Sequence, residues 1–109
     1  MKQVFVVQTT APDVKSARRL ARLIVRRRLA ACVTFRGGFE SVYRWKGKIK
    51  NSPEAVLTMK TSKARLAALE KTVRANHPYQ VPEFLAVKVA AGSKDYLDWV
   101  EKSLNSLEA

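Results

Sequence analysis

The chain has 109 residues, of which 47% are hydrophobic, so it has the composition of one folded domain, residues 1–109, rather than of a disordered tail. Its 21 basic and nine acidic residues give a net charge of +12, which favours phosphates or nucleic acid as partners. A single cysteine, Cys32, and a single histidine, His77, exclude an internal disulfide and a dense Cys/His metal cage within one chain. The apolar runs are too short to span a bilayer and the N-terminus lacks a long apolar signal segment, which predicts a cytoplasmic location and no membrane partner.

The N-terminal third of the chain predicts a strand followed by a helix. Residues 4–7 are β-branched and aromatic, as strands are, and the polar segment 9–13 predicts the end of this strand. Asp13 is placed to cap a helix that runs to about Arg28. An apolar stripe along this helix is expected to face the core, and it consists of Leu20, Ala21 and Ile24.

The same helix carries much of the positive charge. Arg18, Arg22 and Arg26 recur every four residues and are therefore expected to form one ridge on the solvent side. Such a ridge is typical of a solvated outer face, which the pattern favours, and also of a nucleic-acid surface.

A long hairpin is predicted next. Residues 31–45 form an extended pattern that Gly37 and Gly38 interrupt, which indicates a bulge or bend. Residues 46–48 predict the turn, and the returning strand, residues 54–60, is expected to follow Pro53.

The second half of the chain predicts a helix, a strand and a further helix. Ser62 is placed to cap a helix that ends at His77, because Pro78 keeps the residue before it out of the helical region. Residues 84–90 alternate as a fourth strand does, and the apolar residues from 96 to 104 predict a C-terminal helix.

This order of elements predicts an α+β fold of the ferredoxin-like type, βαββαβ with an additional C-terminal helix. Helices cover one face of the antiparallel sheet in that plan. Because the predicted strands carry apolar residues on both sides, the other face needs a cover, and another copy of the chain would provide it.

The segment 77–84 holds the densest group of chemically useful side chains, namely an imidazole, a phenol, a carboxamide and a carboxylate. Two prolines, Pro78 and Pro82, restrict its backbone to a rigid corner. The pattern favours a plain connector between helix and strand, with a binding site as the alternative.

Six short segments occur in one order along the chain: TTAPD at 9–13, LAACV at 29–33, SVYRWKGKI at 41–49, MKT at 59–61, HPYQVPE at 77–83 and YLDW at 96–99. From about residue 4 to about residue 103 the chain thereby resembles the CutA divalent-cation tolerance proteins. The resemblance implies a PII-like homotrimer in which long hairpin strands extend the sheets of neighbouring subunits. It implies a role in the response to divalent metals such as copper through binding or signalling, with no catalytic reaction and no cofactor-binding residues.

The resemblance also indicates where a metal would bind. The family's cysteine and histidine pair fall on Thr9, Asn76 and His77, so only His77 is retained as a ligand. One imidazole is a poor site for copper, which predicts weak binding of Cu(II) or another divalent metal, with Glu83 as a helper. Cys32 lies in an apolar run and is expected to be buried, so it is not predicted as a ligand.

Clefts between subunits are expected near four further residues, Tyr43, Trp45, Lys60 and Tyr79. These clefts could hold a small anion or metabolite; alternatively, the four side chains only stabilise the interface. Glu83 is expected to lie near a basic group such as Lys60, because an isolated buried carboxylate is costly.

Two other functions compete with this interpretation. A basic nucleic-acid or anion-binding module of the same fold is the main alternative, but the segment from Arg36 to Tyr43 lacks the aromatic that an RNA-recognition strand needs at Gly38, so no specific nucleic acid is predicted. A small hydrolase would need glycine or arginine in a phosphate-binding loop after the first strand, and residues 8–13 contain neither.

Overall fold

The computed structural model describes residues 3–105, which form a four-stranded antiparallel sheet and three helices. In chain order the elements are β1 (Val4–Ala11), α1 (Val14–Arg26), β2 (Cys32–Trp45), β3 (Lys48–Ser62), α2 (Leu66–Ala75), β4 (Leu85–Lys88) and α3 (Lys94–Asn105). The strands lie in the order β2-β3-β1-β4, and every neighbouring pair is antiparallel. This confirms the predicted α+β class and the order of strands and helices. None of the helices in residues 3–105 is both long and apolar enough to cross a bilayer.

The main core lies between the sheet and the helices α1 and α2, on what we call the first face. Every second residue of the central strands points to this face, and Val7, Leu57 and Met59 are completely buried there. The predicted stripe of α1 packs against them, with Ile24 fully buried. Each such side chain contributes about 1.5–3 kcal/mol, so this face contributes most of the apolar stabilisation.

The opposite, second face is only partly covered. Helix α3 packs Val100 and Leu104 against Val4 at one end of the sheet. On the edge strand β4, Leu85 is 57% exposed and Val87 is 65% exposed. The second face therefore keeps an open apolar surface in a single chain.

Helix α1 begins as predicted and ends two residues earlier. The Asp13 carboxylate accepts a hydrogen bond of 2.7 Å from the backbone N–H of Ser16, which confirms the N-cap. Hydrogen bonds from Ser16 lower the pKa of Asp13, because they stabilise the charged carboxylate. The helix stops at Arg26, and Arg28 takes a left-handed φ of 57° that turns the chain toward β2.

Strand β1 continues beyond the predicted end at residue 9. Thr9 and Thr10 are paired with Leu57 and Val56 on β3, and both threonines are buried. The prediction of a polar break was wrong because threonine is β-branched and fits a pleated strand when its hydroxyl has a partner. For Thr9 that partner is the backbone carbonyl of Glu83, at 2.5 Å.

Strands β2 and β3 form a hairpin that extends past the rest of the sheet. Their register shifts between Arg36 and Phe39, at the predicted bulge. Pairing of β1 with β3 ends at Ala55, so residues 39–45 and 48–54 form a two-stranded segment without a third strand beside it, which we call the ribbon. Lys46 and Gly47 form its turn, both with positive φ.

Pro53 lies inside β3, although the sequence predicted that the strand starts after it. Proline lacks an N–H and is normally excluded from the middle of a sheet. Here it pairs with Glu40 on β2, beyond the point where β1 ends, so the other side of β3 is an open edge. The missing donor therefore leaves no neighbouring strand unpaired.

The remaining elements differ from prediction mainly at their ends. Ser62 precedes a 3₁₀ turn, Lys63–Arg65, and makes no side-chain cap, because the chain tightens before α2 starts. Helix α2 ends at Ala75, and the Asn76 amide donates to the Thr72 carbonyl. Strand β4 has four residues, fewer than the predicted 84–90.

Candidate functional site

The corner, residues 77–84, is fixed to β1 by His77. The Nε2 atom of His77 lies 2.6 Å from the Thr10 carbonyl, and its Nδ1 accepts a hydrogen bond of 3.1 Å from the backbone N–H of Tyr79. Because an amide can only donate, Nδ1 carries the lone pair, and Nε2 therefore donates its proton to the carbonyl. Both ring nitrogens are engaged, so His77 acts as a positioning residue in this conformation.

Tyr79 joins the corner to the ribbon through Glu54. The phenol donates to Glu54 Oε2 at 3.1 Å, and the Ser41 hydroxyl donates to Oε1 of the same carboxylate at 2.5 Å. Burial, followed by the Glu54 carboxylate, raises the pKa of Tyr79 to about 12. Sequence reasoning missed Glu54, since it lies 25 residues from Tyr79 in a strand and no local motif marks it.

A cavity of about 640 Å³ lies between the corner and the ribbon. Tyr43, Trp45, Tyr79 and Glu83 line it, together with Lys50 and Glu54. Two carboxylates and one ammonium, beside aromatic rings, suit a small ligand with a cationic group better than a free anion.

Glu83 and Lys60 are not brought together. The Glu83 carboxylate accepts a hydrogen bond of 3.0 Å from the Gln8 side chain, which is a neutral partner. Lys60 lies on β3 opposite Val6 and Cys32, outside the lining of the cavity. The expected basic partner of Glu83 is thus replaced by an amide.

The predicted metal ligands do not line one cavity. His77 lines a different cavity from Glu83, beside α1. Thr9 is fully buried, and the Asn76 amide is used at the end of α2. Within residues 3–105 there is no group of three or more His, Cys, Asp or Glu side chains that could hold a metal ion. The donors described in residues 3–105 therefore do not form a tight metal site in this conformation.

Cys32 is half-buried, so the expectation of burial was wrong. Its sulfur lies 3.7 Å from the Tyr96 hydroxyl on α3. Cys32 lies on the second face, which α3 covers only in part, and this explains its partial exposure. Burial, followed by the neighbouring thiol, raises the pKa of Tyr96.

Known proteins with similar sequence and structure identify the family. The family model described as CutA1 divalent ion tolerance protein matches residues 5–103. The chain is 43% identical over 98 residues to Protein CutA, chloroplastic, of Arabidopsis thaliana, covering 90% of this chain and 54% of that relative. It is 41% identical over 98 residues to the Divalent-cation tolerance protein CutA of Thermus thermophilus, covering 90% and 95%. The crystal structure of CutA1 from Oryza sativa superposes with a TM-score of 0.93 at 40% identity, covering 96% of each chain.

The prediction of a cytoplasmic location from this sequence was wrong, because relatives are named for other compartments. The Arabidopsis relative, of which this chain spans about half the length, is named chloroplastic. A structural relative from Archaeoglobus fulgidus, 30% identical with a TM-score of 0.90 over 94% of this chain and 99% of that one, is described as periplasmic. Short apolar runs do not distinguish these compartments.

The matched region, residues 5–103, begins in β1 and ends in the last turn of α3, so it includes at least part of every strand and helix described above. The Thermus relative is covered almost completely, so the similarity extends over its whole fold. This chain belongs to the CutA1 divalent ion tolerance protein family.

Proposed function

We propose that the protein serves divalent-cation tolerance as a non-catalytic binding or signalling protein, built as a homotrimer of ferredoxin-like, PII-like subunits. Membership of a family named for divalent ion tolerance supports the role. The proposal that the protein is non-catalytic is supported by one observation: the polar groups at the corner hydrogen-bond to one another.

The side chains of His77, Tyr79 and Glu54 are each held by hydrogen-bond partners. A general base needs a free lone pair within reach of a substrate proton, and both nitrogens of His77 are engaged. The Glu54 carboxylate accepts from Ser41 and Tyr79, and a pKa of about 12 keeps the Tyr79 phenol protonated at neutral pH. This arrangement favours a fixed shape over turnover.

The same bonds support weak metal binding. The lone pair of His77 Nδ1 reaches a metal only if the Tyr79 N–H is released, which costs about 1 kcal/mol. A single imidazole then has to bind the metal with water or with Glu83 after the corner moves. We propose His77 as the principal ligand and Glu83 as its helper. Affinity should fall in acid, since protons compete for the imidazole nitrogen.

Calorimetric titration of Cu(II) tests the metal proposal. We expect weak binding by the wild type and its loss in His77→Gln, whose amide can still donate to the Thr10 carbonyl. Glu83→Gln should weaken binding, whereas Glu70→Gln, the same charge change on the exposed side of α2, should not. Tight stoichiometric binding that survives His77→Gln would show that the ligand is elsewhere.

The open second face and the ribbon support the trimer. The strand order β2-β3-β1-β4, with α1 and α2 on one face, supports the proposed ferredoxin-like subunit. A two-stranded ribbon alone is marginally stable in water, yet Val42 and Ile49 on it are 68% and 63% exposed. If the ribbon paired with edge strand β4 of another copy, the exposed apolar side chains of both would be shielded from water. Sedimentation at micromolar concentration should give a trimer, and a monomer would disprove this assembly.

A further inference from the structure

A second cavity, of about 690 Å³, lies between α1 and the start of the corner. Three arginines of α1 line it, Arg19, Arg22 and Arg26, with Leu20 and Pro78 among its other walls. Their spacing of three and four residues places them along one side of the helix, over about 10 Å. Its lining contains no carboxylate.

These three arginines differ from others that the fold uses. Arg28 donates to the Ser103 carbonyl, Arg65 donates to the Leu104 carbonyl, and Arg18 lies over the Phe35 ring at 5.4 Å. Among residues 3–105 no ion pair or side-chain hydrogen bond engages the guanidinium groups of Arg19, Arg22 and Arg26. Arg19 acts on Asp13 only through its longer-range field, which is a minor cause of the lowered pKa of that carboxyl.

The chemistry of the cavity indicates its ligand. Guanidinium groups bind phosphate through paired N–H donors, and three of them in a row match an anion with several phosphate groups. The volume is that of a small-molecule site, and apolar walls beside the arginines suit a compact ligand rather than the backbone of a long nucleic acid. Helix α1 covers the first face, so assembly through the second face would leave this cavity accessible.

We propose that the cavity lined by Arg19, Arg22 and Arg26 binds a compact oligophosphate, such as an inorganic or nucleoside triphosphate. The cavity adjoins the start of the corner, since His77 and Pro78 are also among its walls, but the proposed anion binding requires no bound metal.

Titration of the full-length protein with sodium tripolyphosphate at about 150 mM salt tests the proposal, because that salt screens exposed charges. We expect saturable binding at one site per chain and a loss of about tenfold or more in Arg22→Gln, which removes a charge-assisted contact. Arg27→Gln is the matched control, since it removes the same charge from the neighbouring helix end outside the cavity, and we expect a change below about twofold. A parallel titration with ATP shows whether a nucleoside is accepted.

Three results would overturn the proposal. Equal losses in Arg22→Gln and Arg27→Gln would show attraction to the net charge alone. An absence of saturable binding at this salt would show that the cavity is not a site. Tighter binding of a single-stranded oligonucleotide than of triphosphate would assign the arginines to nucleic acid. Arg22 is exposed, so thermal unfolding should be unchanged in its variant.

Discussion

At the residue scale, Tyr79 couples the corner to the ribbon, and its proton makes this coupling sensitive to pH. Below about pH 10 the phenol is protonated in both the folded and the unfolded chain. Between about pH 10 and the folded pKa of about 12, the unfolded chain releases the proton while the folded chain retains it. The free energy of unfolding should therefore decline as pH rises through this range.

Tyr79→Phe should reduce this alkaline decline, leaving the part that Tyr96 contributes, and should cost about 1 kcal/mol at neutral pH, because Glu54 Oε2 loses its donor. Urea unfolding at several pH values would measure both effects. Tyr43→Phe is the control, since its hydroxyl contacts Ser52 and not Glu54, and the decline should persist. An unchanged decline in Tyr79→Phe would assign the alkaline sensitivity to other groups.

Asp13 supplies a second titrating contact at the start of α1. Its folded pKa is lowered, so its stabilising effect is present above the unfolded pKa of about 4 and is lost as pH falls through the folded value. Asp13→Asn keeps a cap without a charge and should flatten this acid dependence, while Asp13→Ala should lower the thermal midpoint at neutral pH. Thermal unfolding from neutral to acid pH would distinguish the two variants. If Asp13→Asn and the wild type showed the same dependence of the thermal midpoint on pH, the Asp13 carboxylate would not be the source of the acid dependence.

At the element scale, periodicity predicted the existence and type of the strands and α-helices in residues 3–105. The predictions failed at positions where contacts with distant residues determine the end of a strand. The extension of β1 depends on a partner for Thr9 that lies 74 residues away. The tolerance of Pro53 inside β3 depends on where β1 ends. Neither relation can be read from local sequence.

The site was predictable only in part for the same reason. Proline spacing marked the corner, since prolines act locally. The use of both His77 nitrogens, the role of Glu54 and the positions of His77 and Glu83 beside different cavities arise from the packing of distant strands. The predicted ridge consisted of Arg18, Arg22 and Arg26, but Arg18 instead lies over the Phe35 ring, and Arg19 lines the cavity together with Arg22 and Arg26.

The turn of the ribbon can be tested with one substitution that should destabilise it and one that should stabilise it. Gly47 has a φ of 79° and Lys46 a φ of 51°, the paired positive values of a hairpin turn that favours Asn-Gly. Gly47→Ala should destabilise the protein by about 1 kcal/mol, and Lys46→Asn should raise the thermal midpoint. A calorimetric scan measures both. Destabilisation by Lys46→Asn would mean that the lysine side chain contributes more than its backbone strain costs.

At the scale of the whole molecule, exposed apolar surface is concentrated on the second face and the ribbon. Tyr96 and Trp99 on α3 are 41% and 43% exposed and stack with ring centroids 5.6 Å apart. Val100 and Leu104, rather than Trp99, attach α3 to its own sheet. An unpaired edge strand next to such a surface promotes association, and a closed trimer would use it without forming open fibres.

Trp45 tests the contribution of the ribbon to this assembly. It is half-buried and lies next to the turn, where contacts with another subunit would be made. We expect Trp45→Ala to weaken the trimer more than Trp99→Ala, because Trp45 lies on the ribbon proposed to pair with β4 of another copy, whereas Trp99 lies on α3, outside that strand pairing. Sedimentation across a dilution series would compare the two variants. Equal weakening of the trimer would contradict the expectation that Trp45 contributes more than Trp99.

The most direct test of the second face is a charge placed on its edge strand. Val87 is 65% exposed on β4, and Val87→Lys would put an ammonium group into the proposed interface, where desolvation is costly. We expect this variant to sediment as a folded monomer, with the circular dichroism spectrum of the wild type, at concentrations where the wild type is trimeric. Val25→Lys is the matched control, because Val25 is 43% exposed on α1, away from the second face, and should leave the trimer intact. If Val87→Lys remained trimeric while Val25→Lys dissociated, the assembly surface would lie on the helical side, and the open second face would need another partner.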